Sequence, residues 1–496
     1  MYYKLEIYHH FQKHPNPQIS LAKMESQNSN LKQLPPVAVV IVPLPAQGHL
    51  NQLLHLSHLI TSYDIPVHYA GSTTHNRQAK LRLHGRDTQS LTKIHFHDFQ
   101  LPPYHSPPPS VDISAPSPEH FTALFEASTH LREPISQLLH QLAQKFNRVV
   151  VIHDNLMAYV VQDVKLISNA KAFTFIPISA FSMFSYSWES IPEEVKLLQL
   201  DSEEIPDNIP THEGCATKEM LEFATKQIEC LGFESGWIYN TSRAIEGRYV
   251  TLLDKLYSSK SQIKHFAIGP FHPVNIENKS SENRHQCLKW LDEQEKCSVI
   301  YVSFGSSTSF TDEQIEELAN GLERSEVKFL WVLRRADPND VFEEADRVKK
   351  AQLPKGYEDR VKDRGMIVKD WAPQLEILAH PSTGGFMSHC GWNSCMESMS
   401  MGVPVAAWPM HSDQPRNAVL LSEVLRIGIL VRDWAHRGEV VKSSTIENVV
   451  KTLMVTEEGK EMKKRAAELG ESVRGSVAEG GVSCLERDSF IAYISG

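Results

Sequence analysis

No stretch of this chain is apolar over the roughly 18 residues that a bilayer crossing requires. The run VAVVIVPLP at 37–45 has nine, so no membrane partner is expected. The N-terminal MYYKLEIYHHFQKHPNPQ lacks the apolar core of a secretory signal. Basic excess is missing as well. The net charge is −10 with no strongly basic segment, which argues against nucleic acid or an anionic membrane surface as partner. Cysteine is sparse: seven residues, odd in number and scattered at 215, 230, 287, 297, 390, 395 and 484. That pattern fits reduced thiols in a cytoplasmic protein better than a disulfide framework. No G-x-G-x-x-G follows the first apolar strand, which weakens a nicotinamide-dependent reading. No D-x-D pair is present either. HCGWNSC at 389–395 sets one histidine beside a C-x4-C pair, but no second ligand pair follows at zinc-like spacing, so no metal is expected.

What the chain does have is length for large cores and a steady alternation of short apolar runs with amphipathic stretches. Its 496 residues, 41% hydrophobic and 22% charged, are those of a globular protein of about two to four domains. The alternation is the mark of βα units on a parallel sheet. VAVVIV at 37–42 is continuously apolar and β-branched, as a strand covered on both faces must be. After Gly48, Leu50, Leu53, Leu54 and Ser57 mark one helical face. Further strands are predicted at 65–70, 94–97, 148–153, 172–176 and 236–240, and in a second series at 298–307, 327–333, 366–368, 385–388 and 403–408. Thr311 and Gln314 have the spacing of a capping box at the head of a helix. The tail 457–496 reads as helices broken near 479–483. Proline-rich 101–118 can continue neither element, and reads as either a flexible excursion or a substrate lid. Polar residues interrupt the rhythm within 269–285, and the interdomain linker is placed at 273–285. Residues 1–34 read as a polar leader, expected to be disordered, in which Met24 offers an alternative start.

The fold class that follows is α/β, two Rossmann-like domains whose parallel sheets face each other across a cleft. Ligands of open α/β sheets sit at the carboxyl ends of the strands. His49, Asp154, Gly305 and His389 all fall just after such strands. The densest chemistry lies in 371–414, WAPQLEILAHPSTGGFMSHCGWNSCMESMSMGVPVAAWPMHSDQ. Within it, a strand enters a helix through a glycine-flanked turn, which leaves unpaired N–H groups at the positive end of the helix as a seat for a diphosphate. Asn393 and Ser394 suit the N-cap, and His389 can add a donor to a phosphate oxygen. Glu397, one turn beyond Asn393, can accept two adjacent ribose hydroxyls. Trp371 offers a face for a base to stack on, and Asp413 with Gln414 suits sugar hydroxyls.

This segment resembles the 44-residue signature box of the plant family 1 UDP-glycosyltransferases, from its opening Trp to its closing Asp-Gln, with HCGWNS, the Glu and GVP in register. The resemblance extends over about 36–496 and implies a GT-B fold. Its N-terminal domain, 35–272, would bind the acceptor. The C-terminal domain, 286–475, would bind the UDP-sugar, with a final helix in 476–496 packing back on the N-terminal domain. The resemblance implies that Trp371 stacks the uracil and that Ala372 meets it through the main chain. Gln374 and Glu397 would bind the ribose. His389, the Trp392 backbone, Asn393 and Ser394 would hold the diphosphate, with Ser306 as a further phosphate contact. Asp413 and Gln414 would hold the donor sugar, and in this family a final Gln accompanies glucose. PAQGH at 45–49 matches the family's catalytic motif, so His49 would be the base and Asp154, ending RVVVIHD, its partner. A neutral imidazole suits removal of a hydroxyl proton. His55, His58 and His153 read as structural.

Closer likeness, in VHYAGSTTHNRQA, FMSHCGWNSC and GGVSCLERDSFIAYIS, is to the family's zeatin O-glycosyltransferase branch. It implies an inverting, UDP-glucose-dependent O-glucosyltransferase acting on the side-chain hydroxyl of trans-zeatin or dihydrozeatin. UDP-glucose would be a co-substrate; no cofactor is expected, and the enzyme is expected to be a monomer. UDP-xylose as donor and a flavonoid or other phenolic as acceptor are the alternatives. Asn51 and 181–188 (FSMFSYSW) would line an aromatic acceptor pocket. A rival of another class is a non-catalytic sugar-nucleotide-binding protein; the presence of both His49 and Asp154 argues against it.

Overall fold

The structure is a computed structural model and describes residues 36–81, 88–105, 121–191, 209–258, 263–276, 284–306, 308, 310–333 and 352–496. The leader at 1–34, most of the proline-rich segment and the middle of the predicted linker lie outside the described residues.

The first sheet has seven parallel strands: β1 (Ala38–Val42), β2 (Val67–Ser72), β3 (Ile94–Phe99), β4 (Val149–Asp154), β5 (Ala170–Ile176), β6 (Gly236–Tyr239) and β7 (Lys264–Ala267), in the order β3-β2-β1-β4-β5-β6-β7. The second has six: β8 (Val299–Ser303), β9 (Lys328–Val332), β10 (Gly365–Val368), β11 (Thr383–Ser388), β12 (Val405–Ala407) and β13 (Gly428–Leu430), in the order β10-β9-β8-β11-β12-β13. Two parallel α/β units, as expected, make up the molecule. The strands β7 and β13, short edge strands of the two sheets, were not expected.

Strand chemistry explains their placing. Every residue of β1, β4, β8 and β11 is buried, and these strands occupy the sheet centres with cover on both faces. The strand order reverses between β1 and β4 in one sheet and between β8 and β11 in the other. Loops leaving such a pair diverge to opposite sides, and the crevice between them is where open sheets bind ligands.

Seven helices matter for the site and its support: α1 (Gln47–Thr61), α2 (Ala180–Glu189), α3 (Lys218–Ile228), α4 (Trp392–Met401), α5 (Gln414–Val419), α6 (Glu457–Val477) and α7 (Val482–Ser495). Phe181 and Phe184 of α2, with Trp237 and Tyr249, share one buried cluster with Trp392, Met396 and Leu420 of the second unit. The two units therefore meet through continuous apolar packing. At the chain's end, α7 returns to the first sheet. Phe490 is fully buried with its ring edge-on to Phe173 at 5.5 Å, and Arg487 donates to the carbonyls of Ile268 and Pro270.

The predicted capping box is half formed. Thr311 Oγ1 accepts from Gln314 N at 3.1 Å, but the Gln314 side chain instead donates to the Val441 carbonyl and accepts from the Val441 N–H. A complete backbone pairing outcompetes the cap for that amide.

Candidate active site

The turn after β1 launches α1 and places His49 in its first turn. Its Nδ1 lies 2.6 Å from Oδ2 of Asp154, the last residue of β4, the strand beside β1. Asp154 is wholly buried and its other oxygen accepts the Leu156 N–H at 3.0 Å, which fixes the carboxylate's plane. The His49 side chain keeps 23% of its surface open. With Nδ1 engaged, Nε2 is the nitrogen left to serve a ligand. Burial by itself would lower the His49 pKa, but the charge and hydrogen bond of Asp154, with the charge of Asp413, outweigh it and raise the pKa above 6.5. The imidazole is thus held in place by a buried carboxylate.

Neighbouring histidines have other employment. His55 and His58 are buried within α1. His153 stacks on Phe233 and holds the Asp154 carbonyl at 2.9 Å, and burial lowers its pKa, so it stays neutral.

Across the cleft, the helix α4 begins at the carboxyl end of β11. Its N-cap is Gly391, and no side chain caps it. The expectation that Asn393 and Ser394 serve as cap residues is therefore corrected. They sit inside the first turn and point their groups elsewhere: Asn393 Nδ2 donates to the Gly48 carbonyl at 2.8 Å, and Ser394 Oγ accepts from Gln374 Nε2 at 2.9 Å. The uncapped N–H groups of α4 remain available to an anion. His389 stands beside them, wedged between two glycines: a Cβ on Gly305 or Gly391 would come within 2.6 or 2.5 Å of its Nε2. Burial lowers its pKa to about 4, which makes it a neutral donor at pH 7. Ser306 follows Gly305 on the same wall.

Deeper on this side, Gln374 Nε2 also donates to Glu397 Oε2 at 2.7 Å. Burial raises the Glu397 pKa to about 7, against the lowering by Gln374. Trp371 and Ala372 line the cleft beside them. Asp413 is held by Asn417 Nδ2 at 2.7 Å, and burial raises its pKa to about 6. Gln414 Oε1 accepts from the backbone N–H groups of Met410 and His411, and its amide nitrogen, 3.4 Å from His411 Nδ1, keeps a second N–H for a ligand. All thirteen candidate residues, Asp154 excepted, line one cleft of about 550 Å³ between the two sheets. Among the described residues no group of three or more His, Cys, Asp or Glu side chains could hold a metal ion.

The acceptor side differs in part from expectation. Asn51 lines the cleft, as do Met183, Tyr186 and Ser187 of α2. Phe181 and Phe184 do not; they are fully buried in the interdomain cluster. The helical period turns only one face of FSMFSYSW toward the ligand. Phe121, Phe125 and Leu221 complete much of the apolar lining. Two polar residues were missed altogether. Asn240, after β6, takes the Trp392 indole N–H on its carbonyl at 2.9 Å, and Asn417 holds Asp413. No local pattern marks the first; the i+4 spacing from Asp413 was the available signal for the second.

Comparison with known proteins decides the family. A model described as "Glycosyltransferase, N-terminal domain" matches residues 35–273, and one described as "UDP-glucoronosyl and UDP-glucosyl transferase" matches 276–469. The zeatin O-glucosyltransferase of Phaseolus lunatus is 52% identical over 92% of this chain and 97% of its own. The chain belongs to the UDP-glycosyltransferase family. The zeatin O-xylosyltransferase of Phaseolus vulgaris is 50% identical over 92% of this chain and 98% of its own. The crystal structure of a transferase of this family from Siraitia grosvenorii in complex with UDP superposes with a TM-score of 0.71 at 28% identity, covering 93% of this chain and all of the other. The fold is GT-B, and the protein is a glycosyltransferase that uses a UDP-sugar donor.

Proposed function

We propose that the protein transfers glucose from UDP-glucose, with inversion, to the side-chain hydroxyl of trans-zeatin or dihydrozeatin. The observation that carries the chemistry is the His49–Asp154 pair facing an uncapped helix N-terminus across one cleft. His49 Nε2 accepts the acceptor's proton as its oxygen attacks C1 of glucose. The bond from C1 to the diphosphate oxygen breaks, and Asp154 stabilises the imidazolium that forms. The charge left on UDP falls on the N–H groups of α4 and on His389, so the scheme asks for no metal. Trp371 stacks the uracil with Ala372 beside it, Glu397 and Gln374 meet the ribose, the backbone N–H groups of Trp392, Asn393 and Ser394 take the phosphates with Ser306, and Asp413 with Gln414 takes the glucose hydroxyls. The zeatin reading draws its support from the Phaseolus relatives, at 52% and 50% identity. Those same relatives sustain xylose as the alternative donor. Free cysteines throughout the described residues fit a cytoplasmic enzyme.

The test is a donor-by-acceptor activity matrix, UDP-glucose and UDP-xylose against trans-zeatin, dihydrozeatin, cis-zeatin and a flavonol, run on the wild type and on His49→Ala. The reading expects the highest kcat/KM with UDP-glucose and trans-zeatin or dihydrozeatin, and its loss in the variant. Preference for a flavonol, or for UDP-xylose, would overturn the substrate assignment. UDP binding without turnover of any acceptor would favour a binding protein.

A further inference from the structure

Asn417 is fully buried in α5, and its amide uses every hydrogen-bonding valence it has. Nδ2 donates to Asp413 Oδ2 at 2.7 Å and to the Cys390 carbonyl at 2.9 Å. Oδ1 accepts from Ser179 Oγ at 2.8 Å and from Ser182 Oγ at 3.0 Å. The orientation is forced, because a flipped amide would set its oxygen against a carboxylate and a carbonyl. Each partner belongs to a different part of the machinery. Asp413 faces the donor sugar on the reading proposed above. Cys390 sits with positive φ, +64°, in the turn that precedes the uncapped start of α4. Ser179 is the N-cap of α2, whose residues Met183, Tyr186 and Ser187 line the acceptor side.

We propose that Asn417 is a positioning residue that aims the Asp413 carboxylate at the donor sugar and locks to it both the diphosphate turn and the N-terminus of the acceptor helix. Donor-sugar capture and acceptor registration are thereby set by one side chain. A neutral amide is suited to the task. It supplies donors to the carboxylate and acceptors to the serines at once, which neither a carboxylate nor an alkyl group can do. The ionisation of Asp413 follows the same geometry. Burial raises its pKa, and the Asn417 hydrogen bond opposes that most strongly, with the charges of His49 and Arg416 acting in the same sense. Tyr186, Cys215 and Cys395 are the other titratable groups in its electrostatic neighbourhood. Without the amide donor, Asp413 would keep its proton to higher pH.

This inference rests on Asp413 contacting the donor sugar, and the experiment separates the two. Dissociation constants for UDP and for UDP-glucose are measured by calorimetry across pH for wild type, Asp413→Ala, Asn417→Ala and Ser179→Ala/Ser182→Ala. The ratio of the two constants, compared with wild type at each pH, reports the change in the sugar's share of binding, because the ionisation of UDP's own terminal phosphate is common to every variant. In Asn417→Ala the affinity for UDP-glucose relative to UDP is expected to fall roughly ten- to a hundredfold below that of wild type, and the Asp413-dependent part of its pH dependence to move to higher pH. UDP affinity itself is expected to fall by a smaller factor, because the Cys390 carbonyl in the diphosphate turn loses its donor. The double serine variant leaves the Asp413 hydrogen bond in place, so it is expected to raise the acceptor KM and leave the sugar ratio and its pH dependence alone. If Asp413→Ala keeps the sugar preference, the donor reading fails. If Asp413→Ala loses it and Asn417→Ala keeps it with the wild-type pH dependence, the positioning role fails. A shared fall in thermal stability, with the same pH dependence in both the Asn417 and the serine variants, also overturns the proposal.

Discussion

Replacing Asp154 by Asn keeps the size and nearly the shape of a side chain that has no exposure at all. The Asn oxygen can still accept the Leu156 N–H, which leaves its NH2 group facing His49 Nδ1, 2.6 Å away in the wild type. A donor there demands the opposite tautomer and puts the imidazole's proton on Nε2, the atom that should receive one. The negative charge that would stabilise the imidazolium is gone as well. Positioned base catalysis is worth about 10²–10⁴ in rate, so kcat is expected to fall by that factor, about 3 to 5.5 kcal/mol of barrier. The pH profile gives an independent sign. In the wild type the His49 pKa is raised, so the basic form, and with it the rate, is lost as pH falls through a value above 6.5. Without Asp154 the largest remaining influence is burial, which lowers the pKa, and the acidic limb of the residual activity is expected to move to lower pH. Initial rates of glucoside formation, followed chromatographically from about pH 5 to 9 at saturating substrates, report both effects. A variant that keeps most of the wild-type kcat, or one whose acidic limb stays in place, would refute the pairing as the source of base strength.

Gly305→Ala adds a Cβ within 2.6 Å of His389 Nε2 at a position whose φ is +74°. UDP affinity is expected to drop about tenfold or more by calorimetry, and wild-type affinity would remove His389 from the diphosphate site. Phe490→Ala empties a fully buried place between Phe173 and Phe266 and is expected to cost about 3–5 kcal/mol. A thermal melt should show it as a lowered transition with UDP affinity retained; an unchanged melt would mean that α7 does not support the first sheet.

How far the sequence could be read depended on whether a feature was local. Strands β1, β4 and β8 announce themselves because burial on both faces demands mostly apolar runs, whereas β11 (TGGFMS) is equally buried with few apolar side chains. The donor box is contiguous, and its Trp371-to-Gln414 spacing carries the whole wall of the site. His49 and Asp154 lie 105 residues apart in the chain; each stands at the end of a strand, and the resemblance to the family supplied their pairing. The cap of α4 was misjudged for a physical reason. Asn and Ser usually cap helices, but here Gly391 takes that place and leaves the amides open, while Asn393 reaches to the Gly48 carbonyl of the other unit. The indole of Trp392 behaves likewise: its hydrogen bond to Asn240 spans 152 residues and has no local signature. Phe181 and Phe184 looked like ligand contacts because composition reports aromaticity but not the side of the helix on which a ring falls.

The return of α7 to the first sheet sets an order in time. Phe173 and Phe266, together with the carbonyls of Ile268 and Pro270, take part of their cover from residues close to the chain's end. All of the second sheet is synthesised between β7 and that cover. At roughly 5–20 residues per second, on the order of ten seconds or more pass with the first unit's aromatic edge open while its own cap is still to be made. The first unit is thus completed last, and a ribosome that stalls inside the second unit leaves behind a first unit whose aromatic edge lacks its α7 cover.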